Sequence, residues 1–233
     1  MKKVINFLNY FFHIIYLFHK NRIINYLNKE LTNIKVVFDV GAYKGEFGDS
    51  FKNSQVFFFE SNIFSFRKIV KKKSNKYFNI GLGSKHEIKT FYIMPNDSSS
   101  SFIKINNQSR LRNKIFGLLK MVPIKKKVKI LPLNYFIKKF SIKNIDILKI
   151  DTEGFEEEVL KGINNKNFKK IKYIIIEKQN NENLYKNYSF KKIEKILKKN
   201  KFVLTKKFKD YLWDYEDLIF RNKSIKNLKP NLE

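Results

Sequence analysis

The chain of 233 residues has no cysteine, three histidines, and 21 acidic side chains against 49 lysines and arginines. Without cysteine there are no disulfides and no thiolate metal sites, which suits a reducing compartment, so a cytoplasmic location is expected. Histidine, the usual general base, is confined to His13 and His19 near the N-terminus and to His86 in a turn, so any proton-transfer chemistry has to consider carboxylates. A membrane-length apolar run is also missing. Val4 to Phe18 is strongly apolar, but it is too short and too interrupted by Asn6, Asn9 and His13 to span a bilayer. It has the basic start of a signal peptide, yet Lys20-Asn21-Arg22 follows where a small-residue cleavage site would stand. Two readings are left for this stretch. One is a helix lying on a membrane surface, giving peripheral contact at the inner face through residues 4–18. The other, which the usual fate of apolar helical stripes favours, is a helix packed against the domain.

What is present in excess is lysine. The formal net charge is +28 and the pI about 10.0, a balance that ordinarily points to nucleic acid or anionic membrane. Arginine is scarce, however, and the lysines come with abundant Asn, Ile and Phe, the residue set of A/T-rich codons. Specific nucleic-acid readers depend on arginine for bidentate base contacts. The charge is therefore read as compositional, and nucleic acid is not expected as a partner. At 28.1 kDa the chain can bury one good core. The division expected is an N-terminal helical segment over 1–33, a catalytic-type domain over 34–222 with an insertion near 102–127, and a polar tail over 223–233.

Lys35 to Phe47 reads K-V-V-F-D-V-G-A-Y-K-G-E-F. Val36-Val37-Phe38 is short and β-branched, as a buried strand should be, and Gly41 to Gly45 reads as a turn leading to a helix over Glu46–Lys52. Strand, glycine turn and helix form the entry to a nucleotide-type cofactor site at the carboxyl edge of an open α/β sheet. A dinucleotide site wants G-x-G-x-x-G, so that backbone can approach the pyrophosphate. Here Tyr43 stands at the second glycine position, where its ring would obstruct a pyrophosphate. S-adenosylmethionine carries no phosphate and offers a sulfonium and an amino group, which suits Asp39. Gln55 to Glu60 is a second buried strand ending in a carboxylate, placed to accept both ribose hydroxyls. A plain turn and a surface acid remain the bland alternative; the ordered set favours a methyl donor. Asp39, Gly41, Tyr43, Gly45, Glu60 and Ser61 are the candidate cofactor contacts. Asn79 or Ile80, at the end of a third strand over Tyr77–Gly81, would lie beside the adenine.

The remaining elements expected are a helix over Ile63–Lys73, a strand over Glu87–Met94 and a polar, linker-like loop over 96–101. Phe102 to Lys127 reads as an insertion or cap, or as a solvated charge run at Lys125–Lys127. A short strand over Val128–Leu133 and a helix near Asn134–Phe140 follow. Asp146 to Gly162 then holds a buried strand carrying Lys149 and Asp151 on one face. Buried charges are costly unless paired or used, so two accounts of Asp151 stay open: a catalytic carboxylate, also within reach of the cofactor, or a structural partner of Lys149. Glu156, Glu157 and Glu158 occupy a first helical turn, where acids favour the dipole, and are read as structural. Glu153 is the second catalytic candidate. Glu177, ending the strand Ile171–Glu177, is the third. A polar loop with Tyr185 and Tyr188, a helix over Phe190–Lys199 and a hairpin of Phe202–Phe208 with Asp217–Arg221 complete the chain.

These residues resemble the FkbM-type methyltransferases from about Val36 to Arg221. The carriers are F-D-V-G-A-Y-K-G-E-F (38–47), F-F-F-E-S-N (57–62), the serine pair within 98–101, K-I-D-T-E-G-F-E-E-E-V-L-K-G (149–162) and I-I-I-E (174–177). The resemblance implies a Rossmann-like class I methyltransferase fold, a mostly parallel seven-stranded sheet with helices on both faces, and O-methylation of a sugar or related hydroxyl compound from S-adenosylmethionine. It carries over Asp39, Gly41 and Gly45 as loop residues and Glu60 as ribose ligand. Ser61 stands where the family usually has Pro, and Asn134 where it usually has Asp, which puts a catalytic or metal role at that position in doubt. Removing a hydroxyl proton would fall to Asp151, Glu153 or Glu177, as base or as ligands of a divalent cation such as Mg²⁺. A rival, RNA-directed methylation, lacks the Asn/Asp/Ser-Pro-Pro-Tyr/Phe motif of amino-group transfer; a non-catalytic membrane-surface module would have no need of Asp39 and Glu60.

Overall fold

The computed structural model describes residues 2–94, 99–104, 123–181, 184–210 and 215–225, with side chains described from His13 onward. Helix α1 covers Lys2–Glu30, followed by strands β1 (Val36–Val40) and β2 (Gln55–Phe59), helix α2 (Ile63–Phe66), and strands β3 (Lys76–Phe78), β4 (Gly81–Leu82), β5 (Glu87–Ile93) and β6 (Ile124–Leu131). Then come α3 (Leu133–Lys139), β7 (Ile145–Ile150), α4 (Glu156–Lys161), α5 (Asn165–Phe168), β8 (Ile171–Gln179), α6 (Phe190–Lys199), β9 (Phe202–Lys209) and β10 (Tyr215–Asn222).

Seven strands form one sheet in the order β3-β2-β1-β7-β8-β10-β9, parallel except that β10 runs antiparallel to β8 and β9. This is the class I methyltransferase arrangement. The chain enters at β1, moves outward to β3, and returns to place β7 on the other side of β1. The switch point between β1 and β7 opens a crevice at the carboxyl ends of the strands, where open α/β sheets bind ligands. A second sheet, β4-β6-β5, lies against the first.

Alternation sorts the strand residues into two cores. Phe38, Val40, Leu148, Ile150, Ile174 and Ile176 face α3, α4 and α6 and the inner side of the small sheet. Val37, Ile147, Tyr173, Ile175 and Ile219 face the other way, where Ile23, Ile24, Leu27 and Leu31 cover them. The C-terminal half of α1 is thus part of the core; this lies beyond the apolar stretch Val4–Phe18, in which Ile14 and Phe18 are exposed. Among the described residues no helix is long and apolar enough to cross a membrane.

Several local expectations are corrected. Glu46–Lys52 forms a single 3-10 turn over Gly48–Ser50, not a helix. The Gly48 amide is committed to Asp39 at 3.0 Å, and this tight turn buries both Phe47 and Phe51; α1 supplies the missing helical cover. The helix expected over Ile63–Lys73 stops at Phe66. The third strand breaks at Asn79, whose side chain ties back to the end of β2, so Gly81 and Leu82 join the small sheet instead. Lys125–Lys127 are exposed, as a solvated charge run would be, but they belong to β6, in register with β5, and Phe102 is a core residue. Ser99 and Ser101 are buried, so this end of the 96–101 stretch is no flexible linker. Asn96 to Ser98, residues 105–122 of the expected insertion and residues 226–233 of the expected tail lie outside the described residues.

If α1 is core, Leu27→Ala, at a side chain with 0% exposure, should cost about 2–5 kcal/mol in denaturant unfolding. A loss below about 0.5 kcal/mol would mean that the helix is an appendage.

Candidate active site

At the end of β1 the backbone turns through Gly41 at φ 77°. A Cβ there would lie 1.7 Å from the Asp151 carbonyl oxygen, so only glycine lets the first turn touch the end of β7. Asp39, two residues earlier, is fully buried. Its Oδ2 accepts the Gly48 amide, while its Oδ1 is buried with no hydrogen-bond partner among the described residues. Burial pushes the Asp39 carboxyl up to about 6, against the lowering effects of Lys149 and the Gly48 amide.

Lys149 is the register partner of Asp39 on β7. Its ammonium donates to Asp151 Oδ2 at 2.7 Å and lies 5.6 Å from the centre of the Phe47 ring. Burial alone would pull the Lys149 pKa down; the charges of Asp151 and Asp39 outweigh it and raise it well above the ordinary value. The Lys149–Asp151 ion pair, weighed above as the structural account of Asp151, is therefore formed.

Glu60, just past β2, is held by backbone. Its Oε2 accepts the Tyr43 amide at 2.6 Å and its Oε1 the Asn62 amide at 2.7 Å. Tyr43 reaches it from a left-handed conformation, φ 52°. Asn79 clamps the same corner, donating to the Glu60 carbonyl at 2.7 Å and the Ser61 carbonyl at 3.3 Å. Burial pushes the Glu60 carboxyl up to about 7, opposed by those two amides. Each carboxylate oxygen can accept a further hydrogen bond, so two hydroxyls of one ligand can still be taken.

Beyond β7, Glu153 also has a positive φ, 53°. Ser101 Oγ donates to its carbonyl at 2.6 Å, and the Tyr185 hydroxyl donates to its carboxylate Oε2. Glu156 is structural, as expected: Oε1 accepts the Thr152 amide, the Thr152 hydroxyl and the Gly154 amide at 3.0–3.1 Å. Burial pushes its carboxyl up to about 7. Because β1, β2, β3 and β7 are parallel, Asp39, Gly41, Tyr43, Gly45, Glu60, Ser61, Asn79, Ile80, Asp151 and Glu153 all come to one sheet edge. Glu177 lies one strand further on. It is buried, accepts from the Gln179 side chain, and is paired in register with Asp217.

Three contributions escaped the sequence reading. The first is α1, which runs along this edge: His13 Nε2 contacts Glu46 Oε1 at 2.9 Å, Lys20 donates to the Glu46 carbonyl at 3.2 Å, and His19 Nε2 contacts Asp217 at 2.8 Å. Burial raises the Tyr16 phenol well above its usual value, with Lys149 opposing and Asp39, Glu46 and Asp151 adding. The second and third are Ser101 and Tyr185. All are contacts between segments far apart in sequence; the resemblance marks the serine pair within 98–101, but not as a partner of Glu153. Asn134 bonds the Asn164 amide and the Asn167 side chain, joining α3 to α5.

The donor set fits a cationic cofactor in one respect: the buried Oδ1 of Asp39 has no hydrogen-bond partner among the described residues and can accept from an ammonium. Among the described residues no group of three or more His, Asp or Glu side chains is arranged to hold a metal ion. A cavity of about 710 Å³ opens at the opposite edge of the sheet, lined by Lys35, Gln55, Lys143, Asp146 and Lys172 among others. None of the candidate residues lines it, and its amino-terminal position is the wrong one for this fold.

The sequence model of the family described as "Methyltransferase FkbM domain" matches residues 39–204. No curated protein matches the chain in sequence. Among solved structures, the chain is similar to the magnesium protoporphyrin IX methyltransferase of Synechocystis PCC 6803 with bound SAM, at 10% identity and TM-score 0.47, over 90% of this chain and 80% of that one. It is also similar to a TehB-like SAM-dependent methyltransferase of Corynebacterium glutamicum, at 10% identity and TM-score 0.44, over 88% of each chain.

Asp39, Glu60 and Glu156 all hold a proton more tightly folded than unfolded. Their stabilisation is therefore complete below the ordinary carboxylate range and is lost as pH rises through about 6–7. The melting temperature of the ligand-free protein should climb as pH falls from roughly 8 to 5.5, and Glu60→Gln should flatten that climb. An identical pH profile in protein and variant would show that Glu60 is not desolvated.

Proposed function

Because the chain belongs to the FkbM methyltransferase-domain family, its match spanning residues 39–204, we propose that it transfers a methyl group from S-adenosylmethionine to a hydroxyl of a sugar or glycan-related acceptor. The observation that carries this reading is the shared sheet edge, to which the parallel strands bring Asp39, Glu60 and Glu153 beside the Gly41–Gly45 turn.

When bound, the cofactor supplies an electrophilic methyl group on a positively charged sulfur. Glu60 accepts the ribose hydroxyls, its orientation preset by the Tyr43 and Asn62 amides. Asp39 accepts the amino group through the oxygen that has no partner among the described residues. Asn79 and Ile80 border the adenine. Asp151, neutralised by Lys149 at 2.7 Å, shapes the crevice floor and is a cofactor contact rather than a free base. The acceptor's proton then goes to Glu153, the half-buried carboxylate at the rim. A sugar hydroxyl has a high pKa, so its proton must leave as the new C–O bond forms, and a positioned carboxylate does this without histidine. Glu177 is buried beneath α1 beside Asp217 and serves as support. The acceptor is a hydroxyl compound and not nucleic acid: a charge excess carried by lysine, with arginine scarce, gives general attraction to anions rather than base readout.

Incubation with labelled S-adenosylmethionine and separate glycan, RNA and protein fractions of the source cells should place the label in glycan, as an alkali-stable ether. Glu153→Gln should leave cofactor binding and melting temperature intact while lowering transfer by roughly 10²–10⁴-fold. Label in RNA, or transfer by Glu153→Gln within threefold of the native rate, would contradict the acceptor class or the base respectively.

A further inference from the structure

Glu153 and Gly154 are the only consecutive pair of described residues with positive φ, 53° and 95°. A non-glycine residue held there costs about 1–3 kcal/mol and persists only where its surroundings over-determine it. Three groups do so. Glu156 Oε1 accepts the amides of Thr152 and Gly154, one on each side of Glu153, both at 3.0 Å. Ser101, itself locked by reciprocal backbone bonds with Tyr92 at 2.8 and 3.1 Å, donates its hydroxyl to the Glu153 carbonyl. The third is Tyr185, from the segment between β8 and α6. Its hydroxyl donates to Glu153 Oε2, and its ring lies so close over Gly154 that a Cβ there would sit 2.6 Å from it.

Tyr185 is 1% exposed and Ser101 is likewise 1%, so neither is a surface group that happens to touch the turn. A buried tyrosine hydroxyl needs some acceptor, and any carbonyl would satisfy that need. Here it takes the carboxylate of the residue placed at the rim. A glutamate side chain has three free torsions, and a base works only when held close to its productive geometry. The glycine matters in the same way, since it lets the ring approach closely enough for the hydroxyl to reach.

We propose that Tyr185 is the positioning residue for Glu153: its phenol fixes the carboxylate in the orientation that takes the acceptor's proton, while Ser101 fixes the backbone that carries it. This rests on the reading of Glu153 as base. It adds a residue from outside the β7 segment, so the base is set only when the 184–188 segment is folded over the turn.

A double-mutant cycle separates this from a merely structural tyrosine. Native protein, Tyr185→Phe, Glu153→Gln and the double variant are compared for transfer from saturating labelled S-adenosylmethionine into a glycan extract. Cofactor affinity is measured by calorimetry, and melting temperature in parallel. Tyr185→Phe keeps the ring over Gly154, so it should fold and bind cofactor as the native protein does, with kcat lowered roughly tenfold or more. In the Glu153→Gln background the same change should cost less than about twofold. Tyr185→Phe with native kcat, alongside an inactive Glu153→Gln, would overturn the positioning role and leave the base in place. An equal loss in both backgrounds would also overturn it, since Tyr185 would then act other than through Glu153. A fully active Glu153→Gln would remove the base itself, and this proposal with it. Ser101→Ala tests the backbone half of the proposal separately: it should lower kcat with cofactor affinity retained, and a native kcat would overturn that half.

Discussion

One buried ammonium organises this molecule. Lys149 lies near the carboxyl end of β7, beside Asp39 in register and 2.7 Å from Asp151. A lone charge there would be strongly destabilising, and a lone pair would neutralise itself. One cation facing two carboxylates does neither: the Lys149 pKa rises, while Asp39 stays desolvated enough to reach about 6. The seam between β1 and β7 thus holds one cation against two carboxylates, with Asp39 Oδ1 buried and without a hydrogen-bond partner among the described residues.

The second constraint is how closely backbones approach. Gly41 meets the Asp151 carbonyl and Gly154 meets the Tyr185 ring, so the cofactor turn and the turn that carries Glu153 are each pinned by a contact only glycine permits. Helix α1 closes the same face from outside. Its lower half fills the core with Ile23, Ile24 and Leu27, and its upper half meets polar groups through His13, Lys20 and His19. The helix therefore changes character where the sheet face beneath it changes from Ile147, Tyr173 and Ile175 to Lys149, Glu177 and Asp217.

Much of this was legible in the sequence. Short β-branched or aromatic runs ending in Asp39, Glu60, Asp151 and Glu177 marked the inner strands, since parallel strands buried on both faces cannot hide a charge except at their ends. The hairpin of β9 and β10 and the helix α6 were legible from alternation and from an amphipathic period. Helices that hang on tertiary contacts were not. Nothing in Glu46–Lys52 announces that Asp39 takes the Gly48 amide, and nothing in the first thirty residues announces that they replace the helix lost there. The third strand was misjudged because Asn79 looks like a strand end but acts as a clamp on Glu60 and Ser61. Within the site, the carboxylates could be found because acids at strand ends are conspicuous. Tyr185 and Ser101 could not, because each lies tens of residues from the turn it holds.

The central claim is that the edge between β1 and β7, and not the 710 Å³ cavity at the opposite end, receives the methyl donor. Backbone amide shifts recorded while S-adenosylmethionine is titrated into the isotope-labelled protein test this most directly. The account predicts that shifts concentrate at Gly41 to Gly45, Glu60 to Asn62, Asn79, Ile80 and Asp151 to Glu153. Shifts confined to Lys35, Ser141 to Asn144 and Lys172, with the glycine turn silent, would contradict it.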